Sequence, residues 1–196
     1  MSAHVEPEWE VVTLLFADIR GFTTFADRAT AREAVAYLND YFGVVVPIVT
    51  EHGGHANKLL GDGLLGVFGA PERLSDHADR AVAAALAMLT AVDARFGDRC
   101  RIGIGLNSGL VLAGTIGGGD LVEYGVVGDP VNVAARVQDA ARDLGVPLLL
   151  TEATRLLLES TDLPLEPRGE LSLKGKPRPV AVHALESRNT FRTPAA

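Results

Sequence analysis

The sequence predicts an α+β fold on a βαββαβ core, and three observations carry that prediction. A continuous apolar run near the N-terminus, two long stretches of helical periodicity and an Asp-Gly hairpin signal fall in the order strand, helix, hairpin, helix, strand. The chain has 196 residues, 47% of them hydrophobic. At about 150 residues per domain this is one domain, long enough to bury a sizeable core.

Glu10 to Asp18 contains Val11, Val12, Leu14, Leu15 and Phe16, the pattern of a central strand buried on both faces. From Ala31 to His52, residues Val35, Leu38, Phe42, Val45 and Val49 recur at spacings of three and four, marking a helix that Gly53-Gly54 ends and Pro47 should kink. His55 to Leu60 and Leu64 to Gly69 read as strands about the turn Gly61-Asp62-Gly63. Asp76 to Phe96 is a second helix through Val82, Leu86, Leu89, Val92 and Phe96. Arg101 to Gly109, Leu110 to Ile116 and Leu121 to Val127 read as three strands. Asp129-Pro130 then opens a helix running to Gly145, with the aspartate as N-cap and the proline at the first helical position. A strand at Pro147 to Leu150, a short helix at Thr151 to Ser160, and strands around Leu165 to Leu173 and Val180 to Glu186 complete the chain. Two helices over one face of a mixed or antiparallel sheet give a ferredoxin-like core with additional strands and a further helix. Residues 1–9 are a lead, 10–186 the domain and 187–196 a flexible polar tail.

Eighteen basic against 25 acidic side chains leave a net charge of −7. Binding a nucleic-acid backbone needs a basic face to displace counterions, so no nucleic-acid partner is expected. The single cysteine, Cys100, cannot close a disulfide within the chain, which points to the cytoplasm. The first residues lack the basic and apolar regions of a signal peptide. The longest apolar run, Ala81 to Val92, has about 12 residues where a membrane span takes about 20, so no membrane segment is expected in this chain.

In a βαββαβ core the first two strands run parallel with the third between them, so the end of the first strand lies beside the following hairpin. That topology brings Asp18 to Asp62. Two carboxylates there form a hard oxygen site suited to Mg²⁺ or Mn²⁺, which keep positions for phosphate oxygens and water. Taken singly, Asp18 also suits a helix cap and Asp62 an ordinary turn. Ile19-Arg-Gly-Phe-Thr23 follows directly, and a glycine with a hydroxyl residue at such a turn presents backbone N–H groups to a phosphate.

Five stretches in order, Leu15 to Thr23, Asn57 to Gly63, Arg101 to Gly109, Gly128 to Arg136 and Leu173 to Lys176, resemble the class III nucleotidyl cyclases, the adenylyl and guanylyl cyclase catalytic domain. The short segment Gly117 to Glu123 is similar to the bacterial branches. The resemblance implies that Asp18, Asp62 and the carbonyl of Ile19 hold two metal ions per site, Mg²⁺ or Mn²⁺. It implies that Lys174 and the turn of Gly21, Phe22 and Thr23 hold the β- and γ-phosphates, that Asn132 orients the ribose, and that Arg136 meets charge on the transferring phosphoryl group. Asn132 and Arg136 lie at i and i+4, on one helix face. Outside its motif, Arg136 reads equally as a surface partner of Asp139.

Lys58 stands where adenylyl cyclases carry lysine. An ammonium only donates, which suits adenine N1, so ATP is the expected substrate and cyclic AMP the product. The second base-reading position, usually aspartate or threonine, is Gly125 and offers no side chain. A structural role for that glycine is close packing in its strand. Guanylyl or mixed specificity, or a non-catalytic nucleotide-sensing or dimerisation module, are the alternatives. The family's division of site residues between two chains implies a homodimer with composite sites.

Overall fold

The computed structural model describes residues 5–118, 121–160, 162–173, 176 and 178–185. The elements are β1 (Glu8–Ile19), α1 (Phe22–Ala26), α2 (Ala31–Glu51), β2 (His55–Leu60), β3 (Gly63–Phe68), α3 (His77–Phe96), β4 (Ile102–Gly118), β5 (Leu121–Val127), α4 (Asp129–Asp143), β6 (Leu148–Thr151), α5 (Glu152–Arg155), β7 (Leu165–Leu171) and β8 (Val180–Leu185). The expected boundary at residue 186 and the expected tail, 187–196, lie outside the described residues.

Among the described residues one mixed sheet runs β2-β3-β1-β4-β6-β8-β7, with β5 paired to the far half of β4. β1 is antiparallel to both β3 and β4, while β4 and β6 run parallel. Strand alternation splits β1 between two cores. Leu15, Ala17 and Ile19 pack with Tyr41, Val45 and Val49 of α2 and Val82, Met88 and Val92 of α3. Val12 and Leu14 pack on the other side with Ala134 of α4. The predicted pair of helices thus covers one face, and α4 covers the other.

Three local expectations change. Residues 101–116 are not two strands, because nothing breaks the chain at Gly109: β4 continues to Gly118, pairing first along the whole of β1 and then with β5. Gly128, not Asp129, caps α4; Asp129 is the first helical residue and Pro130 follows it, and the helix ends at Asp143. The helix after β6 is one turn, Glu152–Arg155, capped by Thr151, whose hydroxyl accepts from the Thr154 N–H. It stops because the chain swings to α3, where the Asp79 carboxylate accepts from the backbone N–H groups of Glu159 and Ser160 at 2.9 and 3.0 Å. The expected helix through Pro47 is found as α2, which runs to Glu51, and its start is fixed by a Thr30–Glu33 capping box.

α4 lies along β4 with Pro130 over Gly109 and Gln138 over Gly105. A Cβ at Gly105 would fall on the Gln138 backbone, so glycine there sets how closely the helix approaches the sheet. A buried polar chain fastens the start of this helix. His77 Nδ1 and Ser108 Oγ each lie 2.7 Å from Thr13 Oγ1; Ser108 donates to Thr154, and Thr151 donates to Asn107 Oδ1. The Asn107 amide donates in turn to the Pro130 carbonyl at 3.0 Å.

Candidate active site

Ala17 of β1 pairs with Leu64 of β3, so one step further on Asp18 reaches the β2–β3 turn that carries Asp62. The two carboxyl groups lie close enough to interact. Asp18 also accepts from the Ile19 N–H at 3.0 Å. Burial, then the contact with Asp62 and its negative charge, push the Asp18 carboxyl up to about 7. Arg20 does not relieve this charge: its guanidinium donates to the carbonyls of Val146 and Ala141 at the far end of α4. Arg142 lowers the Asp18 value only as the last of the causes, and among the described residues neither carboxylate has an ion-pair partner, so the crowded pair makes a donor set that a divalent cation fits. Among the described residues no third His, Cys, Asp or Glu joins them, which leaves remaining ligand positions to backbone carbonyls, phosphate and water.

Gly21 takes a left-handed φ of +74° at the cap of α1, a conformation suited to glycine. The turn places the first N–H groups of α1, at Phe22 and Thr23, next to the acidic pair in the chain, and such leading N–H groups have no helical acceptor. The Phe22 ring packs on the core and stacks on Tyr37 with centroids 6.3 Å apart, which fixes the turn.

Lys58 sits on β2 beside a register irregularity between Ala56 and Lys58. The intervening Asn57 donates its amide to the Tyr124 carbonyl of β5 at 2.7 Å. The Lys58 ammonium pairs with the Glu123 carboxylate. Gly125, paired to Gly114 of β4, is buried, and a Cβ there would meet Ile116 Cδ1 at 2.7 Å. Lys58 thus reaches β5 at Glu123, two positions before Gly125. Glu123 is the residue that sequence reasoning missed; the signal available was its place two positions before Gly125, on the same face of a strand.

On α4 the buried stripe is Val133, Ala134, Val137, Gln138 and Ala141. Asn132 and Arg136 fall on the opposite side of the cylinder, one exposed and one half-buried. Arg136 makes no ion pair with a described residue: Asp139, its candidate surface partner, is held by Arg142 at 3.4 Å. The start of α4 lies over Gly109, level with Val12, whereas Asp18 is level with Gly103. At about 3.3 Å per residue that is ~20 Å along the strand. One chain thus brings together Asp18 with Asp62, and Lys58 with Glu123 two positions from Gly125, but turns Asn132 and Arg136 outward. Lys174 lies outside the described residues; nearby Lys176 pairs with Asp129 at the start of α4.

The fold is that of a class III cyclase catalytic domain. It superposes on the adenylyl cyclase CyaB from P. aeruginosa with a TM-score of 0.85 at 25% identity, covering 94% of this chain and 97% of that one. It superposes on the guanylyl cyclase Cya2 with a TM-score of 0.82 at 30% identity, covering 92% and 93%. The guanylate cyclase domain of RhGC from Catenaria anguillulae, in complex with GTP, gives 0.82 at 30% identity, covering 93% and 100%. The family model described as the adenylate and guanylate cyclase catalytic domain matches residues 5–187, and the chain belongs to that family. The uncharacterized protein Rv1320c of Mycobacterium tuberculosis is 37% identical over 172 residues, 87% of this chain. The chain spans 30% of the length of that relative. Among the described residues no helix is long and apolar enough to cross a membrane.

Proposed function

We propose that the chain is an adenylyl cyclase that converts ATP to 3′,5′-cyclic AMP and pyrophosphate at sites shared across a homodimer in the cytoplasm. The observation that carries the reading is the Asp18–Asp62 carboxyl pair, crowded at a strand edge beside the Gly21 turn. Asp18, Asp62 and the Ile19 carbonyl would hold two Mg²⁺ or Mn²⁺ ions. When bound, these ions polarise the ribose 3′-hydroxyl and neutralise phosphate charge. The remaining work falls to the chain's own groups. Gly21, Phe22, Thr23 and Lys174 hold the β- and γ-phosphates as the leaving group. Asn132 orients the ribose so that its 3′-oxygen lies in line with the α-phosphorus and the departing oxygen. Arg136 donates to the α-phosphoryl oxygens as charge develops, and removing such a contact costs about 10²- to 10³-fold in rate. Its freedom from Asp139 supports that role.

Lys58 donates to adenine N1 and favours ATP. Because Asn132 and Arg136 point away from the sheet that carries Asp18 and Asp62, a partner chain's helix facing those aspartates completes each site. The buried, free thiol of Cys100 accords with a reducing compartment. Guanylyl cyclase activity is the second reading, favoured by the missing side chain at Gly125 and by the similarity to Cya2. The test is incubation with Mn²⁺ and either ATP or GTP, with chromatography for cyclic nucleotide and pyrophosphate. Cyclic AMP should form faster than cyclic GMP; faster cyclic GMP overturns the base assignment, and no cyclic product overturns the activity.

A further inference from the structure

The carboxylate of Glu123 stands beside the lysine proposed to read the base, close to the position where a side chain is missing. Gly125 contributes none, but β5 alternates with period two, so Glu123 presents its side chain on the same face one step earlier. Its carboxylate is drawn to the Lys58 ammonium. Two features hold it there: the irregularity at Asn57, and the Asn57 amide on the Tyr124 carbonyl, which ties β2 to the residue next to Glu123. Both charged side chains stay open to a ligand, with Lys58 39% and Glu123 49% exposed.

We infer that Glu123 is a specificity-determining residue that accepts a hydrogen bond from the adenine 6-amino group while Lys58 donates to adenine N1. This rests on the adenylyl cyclase reading and supplies the acceptor that Gly125 does not. The chemistry is a matter of counting donors and acceptors. A carboxylate has two oxygens; the one on Lys58 leaves the other to accept. An ammonium has three donors, so Lys58 holds Glu123 and still reaches N1. The side-by-side pair then offers one donor and one acceptor to an edge whose N1 accepts and whose 6-amino group donates. With Lys58 at N1, guanine sets its O6 acceptor against the Glu123 carboxylate, which repels it.

The experiment uses the whole chain with Mn²⁺ and three nucleotides: ATP, GTP, and purine riboside triphosphate, which is ATP without the 6-amino group. Competition against a fluorescent ATP analogue gives affinities, and product analysis gives kcat/KM. The unmodified chain should favour ATP over the deamino nucleotide by about tenfold or more, as expected for a hydrogen bond to a charged acceptor. Glu123→Ala should bring the two nucleotides within about twofold of each other and lower the ATP to GTP ratio. Gly125→Asp in the Glu123→Ala background should restore part of the ratio. An unchanged preference for ATP over the deamino nucleotide in Glu123→Ala overturns the assignment while leaving the adenylyl cyclase reading intact. Faster turnover of GTP by the unmodified chain overturns that reading itself, and a chain that binds none of the three overturns both. Glu123 is exposed on a strand that, among the described residues, pairs with β4 alone, so its replacement spares the core; matching thermal unfolding of variant and parent confirms it.

Discussion

The carboxyl group of Asp18, at the end of β1, lies against that of Asp62 in the β2–β3 turn, and burial together with that neighbouring acid pushes the Asp18 carboxyl up to about 7. The fold therefore binds a proton at Asp18 that the unfolded chain, with an aspartate near 3.8, releases far sooner. A raised carboxyl pKa contributes stability in full below the unfolded value and loses it as pH rises through the folded one. In chelator, the melting temperature should fall between about pH 4 and pH 7, once the common carboxylate background is subtracted using Asp18→Asn. A difference between the two proteins that does not vary with pH would show that the pair stores no such strain.

The same crowding predicts a metal response. At pH 8 both carboxylates face one another without a cation, so Mn²⁺ at 100 times its dissociation constant should stabilise the fold by about 2.7 kcal/mol. For a chain of this size that is roughly 5–10 °C in melting temperature. Asp18→Asn should lose most of the shift. An equal Mn²⁺ shift in that variant places the ion elsewhere.

Asn107 joins the buried polar chain to the first turn of α4, accepting from Thr151 and donating to the Pro130 carbonyl. Asn107→Ala removes both bonds, at about 0.5–1.5 kcal/mol for each. A lower urea midpoint is expected, together with a kcat that falls by more than KM rises, because Asn132 and Arg136 ride on the loosened helix. If the midpoint drops while kcat holds, the anchor is structural only.

Two glycines should respond in opposite directions. Gly105→Ala drives a methyl into the Gln138 backbone and should destabilise by about 1–3 kcal/mol, as overpacking does. Gly43, within α2, has nothing within 4 Å of its would-be Cβ, so Gly43→Ala should stabilise by about 0.5–1 kcal/mol. Urea denaturation of the two variants checks both signs; a neutral Gly105→Ala would mean α4 is free to lift.

What was legible in the sequence follows from periodicity and topology. The continuous apolar run of β1, the βαββαβ order and the Gly61-Asp62-Gly63 turn suffice to bring Asp18 to Asp62, because strand pairing leaves few other arrangements. Spacing alone puts Asn132 and Arg136 on one face of α4. The Lys58–Glu123 pair was hidden because it joins β2 to β5, strands that share no ladder, through an irregularity at Asn57 that sequence does not announce. The expected boundary between Gly109 and Leu110 falls inside the continuous β4, where Gly105 and Gly109 let α4 approach. The Thr30–Glu33 box was readable as Thr-x-x-Glu and was missed. The chain from His77 to Asn107 depends on which side chains of β1 and β4 face each other, and that parity emerges only from the register.

The outward placement of Asn132 and Arg136 leads to the most demanding prediction. A chain with Asp18→Ala keeps an intact α4 but lacks the acidic pair; one with Arg136→Ala keeps the pair but lacks the guanidinium. Each homodimer carries the same defect in both sites and should fall at least about 10²-fold in rate. Mixed dimers put both defects into one site and leave the other whole, so activity should return to about half that of the parent per mixed dimer. Equal mixing forms such dimers in half of all pairs, giving roughly a quarter of parental activity. Tandem affinity capture of two differently tagged chains isolates the mixed species for assay. Captured mixed dimers that remain inactive would show that each site is built from a single chain.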